Sequence, residues 1–125
     1  MSELQLSPYA TRLDLHFDPP VGPSDCAARL RALLNGLARI QSRIPGSVVG
    51  HIKVFAKLPG GGYLRGSAVS PGQDADVEVV AGTGAPIEAL ALDLNVLVYG
   101  CSAAECRDHV REVVAGDRSA ARRTK

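Results

Sequence analysis

The chain has 125 residues, which is enough for one domain with a single core and too few for two. Apolar residues make up 46% and charged residues 22%, a globular composition that excludes a largely disordered chain. The formal net charge of +1 provides no overall field that would gather a polyanion, although residues 1–70 are net basic and residues 71–125 net acidic.

Neither the N-terminus nor the cysteines indicate export or membrane insertion. Residues 1–10 lack the basic region and apolar run of a signal peptide, and no apolar stretch approaches the roughly 18 residues of a membrane span. Three cysteines at irregular spacing fit reduced thiols better than a disulfide framework. We therefore expect a cytoplasmic protein that does not contact a membrane.

The first elements predicted are a strand and a helix. Residues 9–17 alternate apolar and polar side chains, and the proline-rich residues 18–23 are expected to end this strand. A helix over residues 26–43 follows, with Ser24 or Asp25 as its N-cap. Its buried stripe is predicted to contain Cys26, Leu30, Leu33, Leu37, Ile40 and Ile44, with Leu34 at the margin.

Four more strands follow the helix. Residues 48–58 and 63–70 form a predicted hairpin around a Pro-Gly-Gly-Gly turn, and residues 76–80 form a short strand. Residues 90–99 show the clearest period of two, which requires one buried face. That face carries Leu90, Leu92, Leu94, Val96 and Val98.

A second helix is predicted over residues 103–115, where Ser102 and Glu105 match the capping box. Residues 117–125 have no apolar period and are expected to form a disordered basic tail behind a single domain over residues 1–116. The inner side of this helix is predicted to carry Ala103, Cys106, Val110, Val113 and Val114.

The element order β-α-β-β-β-β-α predicts an α+β two-layer sandwich. Each helix has one apolar stripe and each confident strand one apolar side, so both helices should cover one face of a mostly antiparallel sheet. The helix after the first strand makes a crossover, which relates the fold to the split βαβ, ferredoxin-like plan.

The sheet face turned away from the helices is the candidate functional surface. Its apolar content, to which Val49 and Val69 also contribute, would normally be covered, and a second copy or a protein partner is the simplest cover. We therefore predict a small non-enzymatic accessory or regulatory domain that needs no cofactor and forms a homodimer or binds a protein partner. The predicted partner-binding residues are His51, Lys53, Phe55, Lys57, Tyr63, Arg65, Asp93, Asn95, Leu97 and Tyr99.

Two alternative functions remain open. Phe55 and Tyr63 with neighbouring lysines could bind single-stranded RNA, although acidic Asp14, Glu78 and Asp93 share that face. A thiol or metal site could use Cys101, Cys106 and His109, but zinc needs about four ligands, or three plus water. The chain has no nucleophile elbow, Walker lysine or dinucleotide fingerprint, so no catalytic residue is predicted.

Two basic clusters are expected to be solvated rather than functional. The first lies on the first helix and the second in the tail. They contain Arg29, Arg31, Arg39 and Arg43, and Arg118, Arg122, Arg123 and Lys125, respectively.

Overall fold

The computed structural model describes residues 6–43, 45–46, 48–70, 72–115 and 122–124, with residues 6–8 and 122–124 described by their backbone only. The elements along the chain are β1 Leu6–Val21, α1 Pro23–Ser42, β2 Val48–Lys57, β3 Gly62–Ala68, β4 Asp76–Ala81, β5 Ile87–Tyr99, α2 Ala103–Ala115 and β6 Arg122–Thr124. Among these helices, none combines the length and the hydropathy that crossing a bilayer requires.

All strands belong to one sheet in the order β4-β3-β2-β5-β1-β6, and every neighbouring pair is antiparallel. Because β5 lies between β1 and β2, those two strands are mutually parallel and α1 joins them as a split βαβ unit. Strands β3 and β4 then extend the sheet beyond β2. The α+β two-layer sandwich is thus confirmed, whereas the ferredoxin-like order is not.

Both helices pack on one face of the sheet and on each other. Helix α1 contacts β2, β3 and β4, and α2 contacts β1 and α1. The predicted alternation places Val54 and Leu94 beneath the helices, at 3% and 0% exposure, while Phe55 on the opposite face is 41% exposed. The period of two therefore assigns the two faces correctly along the centre of the sheet.

Strand β1 extends beyond its predicted bounds, and helix α1 begins earlier than predicted. The strand continues past Phe17 to Val21. Its two prolines lie where the register with β5 shifts, between His16 and Val21, so their missing N–H groups remove no hydrogen bond from the regular ladder. The helix begins at Pro23, not after Ser24 or Asp25, with Gly22 as its N-cap. Proline suits this first position because it has no N–H that a helical bond would need.

The buried stripe of α1 is wider than predicted. Leu34 is fully buried instead of marginal, and Gln41 takes the buried place expected for Ile40, which is half-buried. The stripe widens because α1 packs against both the sheet and α2. Ile44 lies outside the described residues.

A β-bulge at Gly50 reverses the orientation predicted for the start of β2. The register with β5 shifts between Val49 and His51, so Val49 packs against the core while Val48 is 51% exposed. The extra residue resets the alternation, which is the usual effect of a bulge. Val49 therefore does not belong to the outer face, and that prediction was wrong.

The capping box of α2 is confirmed, whereas one predicted inward residue is not. The Ser102 N–H donates to Glu105 Oε1 at 2.8 Å, and the Glu105 N–H donates to Ser102 Oγ at 3.1 Å. Hydrogen bonds from Ser102 hold the pKa of Glu105 below its ordinary value. Cys106 is buried, but Ala103, in the first turn of the helix, is exposed.

The chain's last strand is short and lies at the edge of the sheet. Residues Arg122–Thr124 form β6, which pairs with residues 12–14 of β1. In this respect the backbone differs from the disordered tail predicted over residues 117–125, whose other members lie outside the described residues.

Candidate functional site

The outer face of the sheet brings most of the predicted partner-binding residues together. His51, Lys53 and Lys57 are exposed along β2, as are Arg65 on β3 and Asn95 on β5. Half-buried members of the same set are Tyr63, Asp93, Leu97 and Tyr99. Tyr99 is the outlying member: it pairs with Val48 at the end of β5, six residues beyond Asp93 and so roughly 20 Å along the strand.

One line of side chains crosses the outer face at right angles to the strands. Its members lie directly opposite one another in the registers of β1 with β5, β5 with β2, β2 with β3, and β3 with β4. We call this line the cross-strand row. In spatial order it contains Arg12, Asp93, Phe55, Arg65 and Glu78.

Each side of the cross-strand row is an ion pair between neighbouring strands. Arg12 Nε lies 3.0 Å from Asp93 Oδ1, and Arg65 Nε lies 2.5 Å from Glu78 Oε1. All four side chains are about half exposed or more. Ion pairs this accessible stabilise a fold by about 0–1 kcal/mol each, so they are not needed to hold the sheet together.

Phe55 occupies the middle of the row and stacks on a second aromatic ring. The centroids of Phe55 and Tyr63 are 5.9 Å apart and the rings are inclined by 24°. Val80 lies opposite Tyr63 on the next strand and is 42% exposed. Phe55 therefore lies between two ion pairs, and Tyr63 and Val80 extend an apolar patch beside the pair of Arg65 and Glu78.

A second line of side chains lies beside the row and floors an open groove of about 890 Å³. In register order it runs Asn95, Lys53, Ser67 and Asp76. Lys53 forms no ion pair within the part of the chain that the structure describes. The prediction missed Ser67 and Asp76, although continuing the alternation of β3 and β4 would have placed both on the outer face.

Among the residues whose side chains the structure describes, the outer face carries both signs of charge in balance. Its cations are Arg12, Lys53, Lys57 and Arg65, and its anions are Asp14, Asp76, Glu78 and Asp93. Both arginines already have a carboxylate partner. Such a surface lacks the concentrated positive charge with which proteins hold nucleic-acid backbones.

Cys101, Cys106 and His109 meet at the contact between α1 and α2, around the buried Gln41. The Cys101 thiol donates to Gln41 Oε1 at 3.7 Å, and His109 Nδ1 lies 3.1 Å from the same oxygen. Burial raises the pKa of Cys106 to about 11 and raises that of Cys101 in the same direction. The thiolate form, which is the nucleophile and the metal ligand, is therefore disfavoured at both sulfurs.

The side chains around Gln41 do not have the arrangement of a metal site among the described residues. No group of three His, Cys, Asp or Glu side chains in the described ranges is arranged to hold a metal ion. The three cysteines are free and buried. The geometry is that of a polar contact between two helices. Gln41 Oε1 accepts a hydrogen bond from the Cys101 thiol and lies within hydrogen-bond distance of His109 on α2.

Two arginines of the predicted basic surface on α1 have structural roles. The Arg29 guanidinium lies over the Phe17 ring at 5.6 Å, and Arg31 donates to the Ala75 carbonyl at 3.2 Å. The first contact is a cation–π interaction and the second fastens the loop before β4 to the helix. These two side chains therefore attach α1 to its neighbours.

Comparison with known proteins gave no match to this chain, whether with protein-family models, curated sequences or solved structures. Function is therefore inferred from the chemistry of the outer face.

Proposed function

We propose that the protein is an interaction module whose outer sheet face binds a protein partner. The observation that carries this proposal is the position of Phe55: a ring 41% exposed, at the centre of the sheet, on the face without helices. Phe55 stacks on Tyr63 and ion pairs flank it on both sides. An apolar centre inside a polar rim is the ordinary arrangement of a protein–protein interface.

The exposed apolar groups are placed where a partner would gain most from covering them. Covering the accessible part of one aromatic ring contributes on the order of 1–2 kcal/mol, and central aromatic residues are frequent binding hot spots. Val80 extends the patch onto β4. The groove beside the row offers room for a partner's side chain above Lys53 and Ser67.

RNA binding by the same face has less support. Stacking of bases requires accessible ring faces, whereas Phe55 and Tyr63 stack on each other. Phosphate binding requires available cations; Lys53 is available on this face, but the arginine beside the rings, Arg65, is already paired with Glu78. Balanced charge on the face removes the long-range attraction that brings a polyanion to a protein.

The proposal is tested by photo-crosslinking from the centre of the face. Benzoylphenylalanine replaces Phe55 in one sample and Ala32, an exposed residue of α1, in the control. Each purified protein is irradiated alone and in an extract of its native host, with and without nuclease. We expect a protein adduct from position 55 and none above background from position 32.

Two results contradict the proposal. The first is equal crosslinking from both positions, which indicates non-specific contact. The second is an adduct at position 55 that nuclease removes, which assigns the face to RNA. Adducts to this chain or to another protein both support an interaction module, and the experiments below distinguish between them.

A further inference from the structure

We propose that the partner is a second copy of this chain, packed face to face about a twofold axis that runs along β2 through Phe55. This inference rests on the proposed function and identifies the partner. The observation that carries it is the order of charges in the cross-strand row: positive, negative, aromatic, positive, negative. This order is self-complementary when the row is reversed.

A twofold axis along β2 reverses the row in the second copy. Arg12 of one copy then faces Glu78 of the other, and Asp93 faces Arg65. Phe55 lies on the axis and faces its own counterpart. Symmetry repeats both ionic pairings on the other side of the axis, so every charge of the row meets its opposite. The ion pairs already present within each copy join these pairings into networks of four charges.

Another twofold orientation in the plane of the sheet fails the same test. An axis parallel to the row places Arg12 against Arg12 and Glu78 against Glu78. Each charge of the row then faces a like charge, which opposes association. The charge order therefore selects the axis along β2, in which the strands of the two sheets run nearly parallel or antiparallel, as they do in aligned sheet packing.

Lys53 supplies an independent check on this arrangement. It lies two residues from Phe55 on the same strand, so an axis along β2 brings it close to its own counterpart. The two ammonium groups repel each other. Lys53→Gln is therefore expected to tighten self-association, whereas for an acidic partner or RNA the same change would weaken binding. A weakened self-association would overturn the proposed axis.

Inversion of the ion pairs tests the complementarity without removing the pairs themselves. One variant combines Arg12→Asp with Asp93→Arg, and the other combines Arg65→Glu with Glu78→Arg. Each keeps its ion pair within the copy, but like charges now face each other across the proposed interface. Sedimentation equilibrium should show self-association weakened roughly tenfold or more in each variant.

Complementarity returns when both sides are inverted. The chain with all four substitutions should associate within about threefold of the wild type, because every charge of the reversed row again meets its opposite. An equimolar mixture of the two pair-inverted variants should form a heterodimer, detected by native mass spectrometry. Circular dichroism and thermal unfolding of each variant at low concentration serve as controls of folding.

Failure of this inference is distinguishable from failure of the proposed function. If the wild type remains monomeric while position 55 crosslinks another protein, the second-copy assignment is wrong and the interaction module stands. If Phe55→Asp abolishes self-association but the two pair-inverted variants associate as tightly as the wild type, the proposed axis is wrong. If the wild type associates and Phe55→Asp leaves that association unchanged, the outer face is not the interface and both proposals fail.

Discussion

The two faces of this sheet are built from the same strands but differ in their exposure to water. In β5, Leu92, Leu94 and Val98 are completely buried beneath the helices, while Asp93 and Asn95 alternate with them on the other side. One face excludes water and contributes most of the hydrophobic stabilisation. The other face retains charges and an accessible ring. The difference teaches that the contribution to stability alternates residue by residue along one strand, so the exposed side can change without the buried one.

The largest expected effect tests this separation within β5. Leu94→Ala removes a fully buried side chain and should lower the free energy of unfolding by about 2–5 kcal/mol. Leu97→Ala, on the half-buried outer side, should lower it by less than about 1 kcal/mol. Urea unfolding monitored by circular dichroism measures both. Equal losses would show that the outer face also belongs to the core.

A second comparison uses neighbouring residues of β3. A Cβ added at Gly66 would lie 2.9 Å from Leu34 Cδ1 and 3.2 Å from the Asp76 carbonyl oxygen. Gly66→Ala should therefore destabilise the fold by about 1–2 kcal/mol, since the side chains of Leu34 and Val77 must give way to the added methyl group.

The matched change on the outer side is Ser67→Ala, expected to alter stability by no more than about 0.5 kcal/mol. Thermal unfolding of both variants decides the comparison. An unchanged or higher melting temperature for Gly66→Ala would mean that α1 does not pack closely on β3.

Much of this architecture follows from the sequence because burial of one face imposes a period of two on a strand. That period was sufficient to predict the opposite placement of Val54 and Phe55 and the helices on one side. It failed at Gly50, because a bulge inserts one residue without any change in composition. The start of α1 was also predicted wrongly: a side-chain cap at Ser24 or Asp25 was expected, whereas the helix begins at Pro23.

The candidate site was only partly predictable for a related reason. Alternation tells which side of a strand a residue faces, but the cross-strand row depends on strand order and register. Asp93 and Phe55 are neighbours only because β5 inserts between β1 and β2. That insertion is a long-range property of the chain. The partly buried contact between Gln41 and His109 escaped prediction for the same reason.

A third prediction concerns the pH dependence of stability that the buried interior imposes. The pKa of the buried Cys106 thiol is raised from about 9 to about 11 by burial, so the folded state binds the proton more tightly than the unfolded state. Its contribution to stability is complete below pH 9 and is lost as pH rises through 11. Wild type should therefore lose more stability across that window than Cys106→Ala.

The measurement for Cys106 is the urea midpoint at pH 8, 9, 10 and 11 for both proteins. Subtracting the two curves removes the titration of lysines and tyrosines, which both chains share. A difference that stays constant across the window would mean that the thiol is accessible to water in the folded protein.

The smallest expected effect concerns the ion pair between Arg65 and Glu78 on the outer face. Both side chains are at least half exposed, so a double-mutant cycle with Arg65→Ala and Glu78→Ala should give a coupling free energy of about 0.2–1 kcal/mol. Unfolding is measured at low protein concentration, so that the proposed self-association makes no contribution. Added salt should reduce the coupling, because screening acts strongly on exposed charges. A coupling much above this range would make the pair a structural element of the sheet, and the charge order of the row would then need no partner to explain it.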